Sequence, residues 1–313
     1  MQKKTFISKV FQMSSVMLFL NISNILYNMF VSRRAGAEGI GLFHLVMSIY
    51  SLAVTFSVSG INLTTTRLIS DMPPSLWQKC AGAVSTKCMK LICIPAGVAA
   101  IVLFLSAEFV SVNFLKNKES AICLKFLAST LLPVGLSSVI NGYFTAFGSV
   151  GALSCGKAVS ETVTWFGTLL LFKIYPPSQT YMAVVISLCA GIFSECICQL
   201  FLWYRTLNPL YCKKGADYKS VLRLCAPIAI GSYLRTGLAS AENLLIPSML
   251  AVFGVVNPVA QYGIIKGMTL PVLMFPTVFT GAFSSLIVPE IARRRACGFK
   301  NGIKYISGLS VEY

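Results

Sequence analysis

TYMAVVISLCAGIFSECICQLFLWY, residues Thr180–Tyr204, holds a single charged side chain, Glu195. A membrane span needs roughly 20 predominantly apolar residues. In hydrocarbon, unpaired backbone groups are so costly that a spanning chain must close its hydrogen bonds inside helices or in a sealed barrel. An apolar run of this length, without alternation, selects the helix. Comparable runs lie near 10–31, 40–61, 90–112, 122–147, 151–174, 223–249 and 262–288, giving about eight spans. The expected fold is an all-α, polytopic transmembrane helix bundle. Composition agrees: of 313 residues, 56% are hydrophobic and 12% charged, whereas soluble domains carry about 25% charged residues. With a mean hydropathy of +0.75, a soluble globular domain is excluded.

Lys3, Lys4 and Lys9 ahead of the first apolar run resemble a secretory signal. That run is too long, is interrupted by Asn21, Asn24 and Asn28, and lacks a small-residue cleavage site, so it is read as a retained helix. Basic residues concentrate around Lys3–Lys9, Arg67–Lys90, Arg205–Arg223 and Arg293–Lys304, against a thinner set led by Arg33, Arg34, Lys116 and Lys118. Because positive loops stay inside, this predicts a multi-pass cell-membrane protein with a cytoplasmic N-terminus. The net charge of +16 does not imply nucleic acid, since a binder gathers its basic residues on a polar domain with exposed aromatics. Here they sit in short loops, where anionic membrane lipids are the partners.

The 11 cysteines include no Cys-x-x-Cys pair, and His44 is the single histidine, so neither a metal nor another cofactor is expected. Cys80, Cys88, Cys212 and Cys297 fall in segments expected to be cytoplasmic, where thiols stay reduced, and all the cysteines are read as small apolar residues. Catalysis has little to work with. Asp71 and Asp217 are the only aspartates, and of the acidic residues only Glu108, Glu161, Glu195 and Glu242 lie inside expected helices, so the chain is read as no enzyme.

The most polar stretch, 205–220, carries Asn208, Pro209, Gly215 and Asp217 and reads as a cytoplasmic linker. It separates a six-helix lobe, 1–204, from 221–313, the first two helices of a second lobe with a basic tail. The second part faintly repeats the first. Gly41 and Gly263 open corresponding helices, Gly60 and Gly281 close them, and Arg67 and Arg293 follow. Parallel repeats of about six helices are a transporter plan with the binding site between the halves.

The turn Arg34-Ala35-Gly36-Ala37-Glu38-Gly39-Ile40-Gly41-Leu42-Phe43 resembles the Gly-Ala-Glu-Gly turn of polysaccharide flippases, in the superfamily shared with multidrug and toxin extrusion proteins. Leu234-Arg235 followed by Ser240-Ala241-Glu242-Asn243-Leu244-Leu245-Ile246-Pro247 resembles the stage V sporulation protein B branch. So do Tyr262-Gly263, Gly267-Met268, Leu270-Pro271, Phe275-Pro276 and Val288-Pro289-Glu290-Ile291. The resemblance implies alternating-access export of a lipid-linked oligosaccharide or polyprenyl-pyrophosphate sugar, with spore cortex formation as its setting. Asn62 departs from the family, which commonly has proline there. Family members have about a dozen or more spans, which at roughly 20 residues each need more chain, so C-terminal truncation is expected. A cation-coupled multidrug exporter of the same superfamily and a non-transporting remnant are the alternatives.

Moving an anionic, hydroxylated head through lipid calls for a cavity that is cationic and polar. Arg235 lies about 18 Å along its helix from Arg223, near mid-membrane. An arginine there costs at least ~2.5 to 3.5 kcal/mol and usually marks a pathway. Its guanidinium suits a phosphate. Glu242, seven residues on, shares its face; the plainer alternative is that the two neutralise each other or a neighbouring helix. Asn21, Asn24 and Asn28 share a helix face and suit sugar hydroxyls, or interhelical bonding. Lys157 and Glu161 read as a helix pair, and Lys266 as a snorkelling side chain at a helix end. Pro271 and Pro276 permit a bend in the eighth helix.

Overall fold

All regular structure in the computed structural model is helical over the residues it describes, 2–70, 74–115, 117–174, 180–206 and 218–274. Pro276, Gly281, the motif at Val288–Ile291, the basic tail Arg293–Lys304 and most of the 205–220 linker lie outside them. In chain order the helices are α1 (Gln2–Val58), α2 (Ile61–Ser70), α3 (Pro74–Asn113), α4 (Ser120–Ala146), α5 (Val150–Ile174), α6 (Thr180–Thr206), α7 (Tyr218–Val252) and α8 (Pro258–Gly263). A π-helical turn, Ile264–Thr269, then leads into the short α9 (Leu270–Leu273). The chain divides into two compact units, Met1–Tyr27 with Thr269–Tyr313, and Asn28–Met268. The described part of the first consists of the opening turns of α1 together with α9.

Four stretches among the described residues are long and apolar enough to cross a membrane: Phe19–Ser70, Cys80–Asn113, Ser120–Ala146 and Thr180–Thr206. The first is 52 residues, about 78 Å as a straight helix, far more than a hydrocarbon core of roughly 30 Å requires. It holds the second expected span, 40–61, and the first from Phe19 onward. Gly36 divides them, with φ 69° and ψ 178° inside otherwise helical backbone, a conformation glycine adopts without steric cost. The expected ten-residue turn at 34–43 is therefore one residue of non-helical backbone. Helices α5 and α7 form where spans are expected but fall outside the four apolar stretches. The charges they carry, Lys157, Glu161 and Lys173 in one and Lys219, Arg223, Arg235 and Glu242 in the other, lower their hydropathy. The third helix starts at Pro74 rather than near 90, because proline is well suited to a first helical turn and nothing after it breaks the pattern before Pro95.

Within the unit Asn28–Met268, packing relies on small residues. Lipid tails are as apolar as leucine, so helices associate through close backbone approach and hydrogen bonds. A Cβ on Gly142 of α4 would lie 2.6 Å from the Asn62 carbonyl oxygen of α2, and Thr66 Oγ1 donates to the Gly142 carbonyl at 3.0 Å. A Cβ on Gly156 of α5 would lie 2.8 Å from Gln199 Cγ of α6. Around these approaches Ile61, Val84, Ile92, Val139, Ile140 and Phe144 form a buried core shared by α2, α3 and α4. The outer face of α3 is the reverse of a soluble protein's, with Ile94, Val98, Ile101, Leu105 and Phe109 exposed. Those side chains suit lipid.

Cys88, Cys123, Cys189 and Cys196 are buried free thiols, in keeping with their reading as small apolar residues. Cys80 departs from it: the residue is disulfide-bonded. An expectation of free thiols rests on compartment, whereas bridging follows from which sulfurs the fold brings within reach.

Candidate functional site

Helix α7 lies antiparallel to the second half of α1, and a ladder of polar contacts sets its rotation. Cys225 Sγ donates to the Ser59 carbonyl at 3.1 Å, and Tyr233 stacks on Phe56 with ring centroids 4.8 Å apart. Thr55 Oγ1 donates to Thr236 Oγ1 at 3.1 Å, Ser240 Oγ donates to the Ser48 carbonyl at 3.0 Å, and Asn243 Nδ2 donates to Ser48 Oγ at 3.3 Å. With these residues turned to α1, helical periodicity sends Gly231, Leu234, Arg235, Leu238, Glu242 and Leu245 to the opposite face. All six except Glu242 and Arg235 are apolar or glycine, and all are exposed.

Arg235 and Glu242 share this face as expected, about 10.5 Å apart along the axis. They do not pair with each other. Lys266 Nζ bonds Glu242 Oε1 at 3.2 Å, while Arg235 makes no hydrogen bond or ion pair among the described residues. Lys266 is thus an ion-pair partner rather than only a snorkelling side chain. The sequence holds no local signal for this, because the pair joins α7 to the π-helical turn 24 residues later. That turn has a local cause: Pro271 supplies no N–H to the carbonyls behind it, and a widened turn is one way a helix absorbs the loss.

Helix α8 crosses the start of the second half of α1 at very close range. A Cβ on Gly41 would collide with the Val259 carbonyl oxygen, and one on Gly263 with the Ala37 carbonyl oxygen and, at 2.8 Å, with Gly41 N. Gly41 and Gly263, matched in sequence as equivalents, therefore meet in space. On the same alignment Ala37 matches Val259, so each contact is the counterpart of the other. Ile40 and Tyr262, also equivalent, are both fully buried, and each helix starts just after a left-handed residue, Gly36 at φ 69° and Asn257 at φ 70°.

Asn21 and Asn24 are exposed on α1 in the first unit, whereas half-buried Asn28 belongs to the second. Asn24 and Asn28 each engage a partner. Lys157 is exposed and Glu161 half-buried on α5.

The sequence reading missed a second polar cluster. Gln199 Nε2 donates to Asn141 Oδ1 and to Glu195 Oε1, each at 3.0 Å, joining α4 to α6. The available signal was Glu195 and Gln199, one turn apart in a span otherwise without charge.

A family model described as polysaccharide biosynthesis protein matches residues 6–294. The chain belongs to this family. Among relatives of similar sequence, the sporulation protein YkvU of Bacillus subtilis (strain 168) is 18% identical over 303 residues, covering 93% of this chain and 66% of that protein. Stage V sporulation protein B of the same organism is 17% identical over 305 residues, covering 93% and 59%. The chain thus spans about three-fifths to two-thirds of the length of these relatives. A solved structure described as the inward-facing conformation of a multidrug resistance MATE family transporter of the MOP superfamily aligns with a TM-score of 0.58, 14% identity, and coverage of 94% of this chain and 75% of that one. The polysaccharide biosynthesis family member therefore shares the fold of that transporter.

Proposed function

We propose that the chain acts in export of a lipid-linked, anionic sugar precursor, with Arg235 gripping the phosphate. The observation that carries the reading is an arginine exposed on α7 without a partner among the described residues, while the nearest carboxylate on its face, Glu242, is bonded to Lys266. An unpaired guanidinium in an apolar setting is costly, and a planar fork of donors matches a phosphate. Within the unit that holds Arg235, Asn28 is the amide suited to a sugar hydroxyl, while Asn21 and Asn24 belong to the other unit. Family membership and the sporulation names of the two relatives favour a cell-envelope sugar over a drug. The reciprocal crossing of Gly41 and Gly263 supports a two-repeat plan, since elements related by a two-fold axis touch through counterpart residues. In that plan 1–204 forms one lobe, 221–313 begins the other, and alternating access is their rocking.

Purified protein in nanodiscs, titrated with polyprenyl pyrophosphate, tests the grip. Saturable binding should weaken by about tenfold or more for Arg235→Ala. Equal affinity for the uncharged polyprenol would overturn the phosphate role.

Orientation is a separate expectation. The loop charges place the N-terminus inside, whereas a disulfide at Cys80 favours an oxidising side for a segment that this topology keeps cytoplasmic. The charge bias extends over many residues and outweighs one bridge. In a cysteine-free background, Lys118→Cys should react with an impermeant thiol reagent added outside intact cells, and Arg205→Cys should react only after permeabilisation. The opposite pattern would invert the cavity faces.

A further inference from the structure

A groove of about 580 Å³ runs between the second half of α1, α3 and α7, walled by Leu52, Phe56, Ile94, Val98, Val102 and Tyr233. We propose that it seats one acyl chain of an anionic phospholipid, with the headgroup held by Lys90 at the end nearer the start of α3. This goes beyond the sugar-export reading: it assigns a bound membrane lipid that is not cargo, and it involves neither Arg235 nor the asparagines of α1.

The groove has a cause in the sequence. Ala53 of α1 and Ala99 of α3 line it, and their short side chains leave space between larger neighbours. Pro95 lies inside α3, where it removes one backbone hydrogen bond and permits a bend. Tyr233, stacked on Phe56 with ring centroids 4.8 Å apart, closes the groove from α7. Of the lining side chains only those of Ser106 and Tyr233 carry a polar atom, and the Ser106 hydroxyl already donates to the Leu103 carbonyl at 3.5 Å. An ordered water needs about two to four polar partners, which such a wall does not provide. Phe56, Ile94, Val98 and Val102 are exposed, so the groove opens to the surrounding hydrocarbon. A lipid chain is the occupant that this setting supplies.

Length and charge choose the lipid. Ile94 and Ser106 are 12 residues apart, about 18 Å along α3, close to the ~15 Å that one leaflet contributes to the hydrocarbon core. Lys90 lies one turn before Ile94 on the same face of the helix, is exposed, and makes no hydrogen bond or ion pair among the described residues. Its methylenes can lie along the helix while the ammonium reaches a headgroup phosphate. Near the other end of the groove the nearest charge on α3 is Glu108, already bonded to Lys125 at 2.6 Å, which offers an anion nothing. The headgroup therefore belongs at Lys90. With the N-terminus inside, as the loop charges favour, this end of α3 is cytoplasmic, where the leaflet is anionic. The cargo's polyprenyl tail is the other hydrocarbon chain on offer. Arg235, the proposed grip on its phosphate, lies on the face of α7 opposite to Tyr233, so that tail starts on the wrong side of the helix.

The test is titration of the purified chain in detergent with phosphatidylglycerol and, separately, with phosphatidylcholine of the same acyl chains, bound lipid being counted by native mass spectrometry. One phosphatidylglycerol should bind saturably, about fivefold more tightly than phosphatidylcholine. Lys90→Gln should remove that preference, whereas Lys173→Gln, at an exposed lysine on α5, should keep it. Ala99→Phe fills the groove and should weaken both lipids by about tenfold. Val98→Trp starts from an exposed side chain and blocks the same groove without disturbing packed helices, so it carries the test if Ala99→Phe fails to fold. Equal affinity of the parent for the two lipids overturns the proposal, as does a preference that survives Lys90→Gln or binding that is unchanged in folded Val98→Trp. Displacement of phosphatidylglycerol by an equal concentration of polyprenyl phosphate overturns it too, and would make the groove the seat of the cargo's tail. Because Arg235 lies outside the groove, loss of its phosphate role would leave these results standing.

Discussion

Arg235→Ala should accumulate in the membrane at the parent's level and lose export by roughly ten- to a hundredfold, while Arg235→Lys keeps partial activity. The magnitude follows from hydrogen bonds to charged groups, worth about 1.5 to 3 kcal/mol. Lysine keeps the charge but not the paired donors, hence the intermediate result. Normal accumulation is expected because Arg235 is exposed and has no partner among the described residues, so its removal strands no charge. Glu242 behaves differently. Glu242→Gln strands Lys266, and Lys266→Met strands Glu242, so each should lower accumulation and the double substitution should recover part of it. With side chains 27% and 61% exposed, the pair is too open for a large coupling, about 1 kcal/mol or less. The measurement is complementation of a host lacking its own exporter, alongside quantitation of membrane-inserted protein. Normal complementation by well-accumulated Arg235→Ala would sink the phosphate role.

Gly263→Val should all but abolish folded protein, and Gly263→Ala should reduce it sharply. Any Cβ at this position collides with the Ala37 carbonyl and comes within 2.8 Å of Gly41 N. Both neighbours are backbone, so no rotamer change relieves the clash. Overpacking costs about 1 to 3 kcal/mol where side chains can adjust, and more is expected here against a total stability of roughly 5 to 15 kcal/mol. Gly237→Ala is the control. It lies on α7, where an added methyl would meet nothing within 4 Å, so replacing glycine with the better helix former should be neutral or slightly stabilising. Size-exclusion profiles of fluorescently tagged protein report the folded fraction. A normal profile for Gly263→Val would mean that the crossing of α8 over α1 is absent from the folded protein, and the support it gives to the two-repeat plan would go with it.

Much of this molecule can be read without coordinates. Helix formation in lipid is a local matter, settled by runs of about 20 apolar residues that must bond their own backbone, so Thr180–Tyr204 and its counterparts declare themselves. The special character of α7 was legible too, through Arg235 and Glu242 in an otherwise apolar segment. The equivalence of Gly41 and Gly263 was visible as a repeat, although the sequence contained nothing to say that the two glycines touch.

What needed the tertiary structure were the relations between helices, because lipid supplies little hydrophobic drive to pair one helix with another and the outcome depends on detailed fit. The ladder from Cys225 to Asn243 rotates α7 so that Arg235 faces away from α1. The π-helical turn brings Lys266 to Glu242, leaving Arg235 without that partner. The groove between α1, α3 and α7 gathers residues far apart in sequence, from Phe56 through Val98 to Tyr233, and no window of sequence spans that distance. Periodicity determines which residues are helical and which share a face; side-chain contacts between helices decide what each face meets.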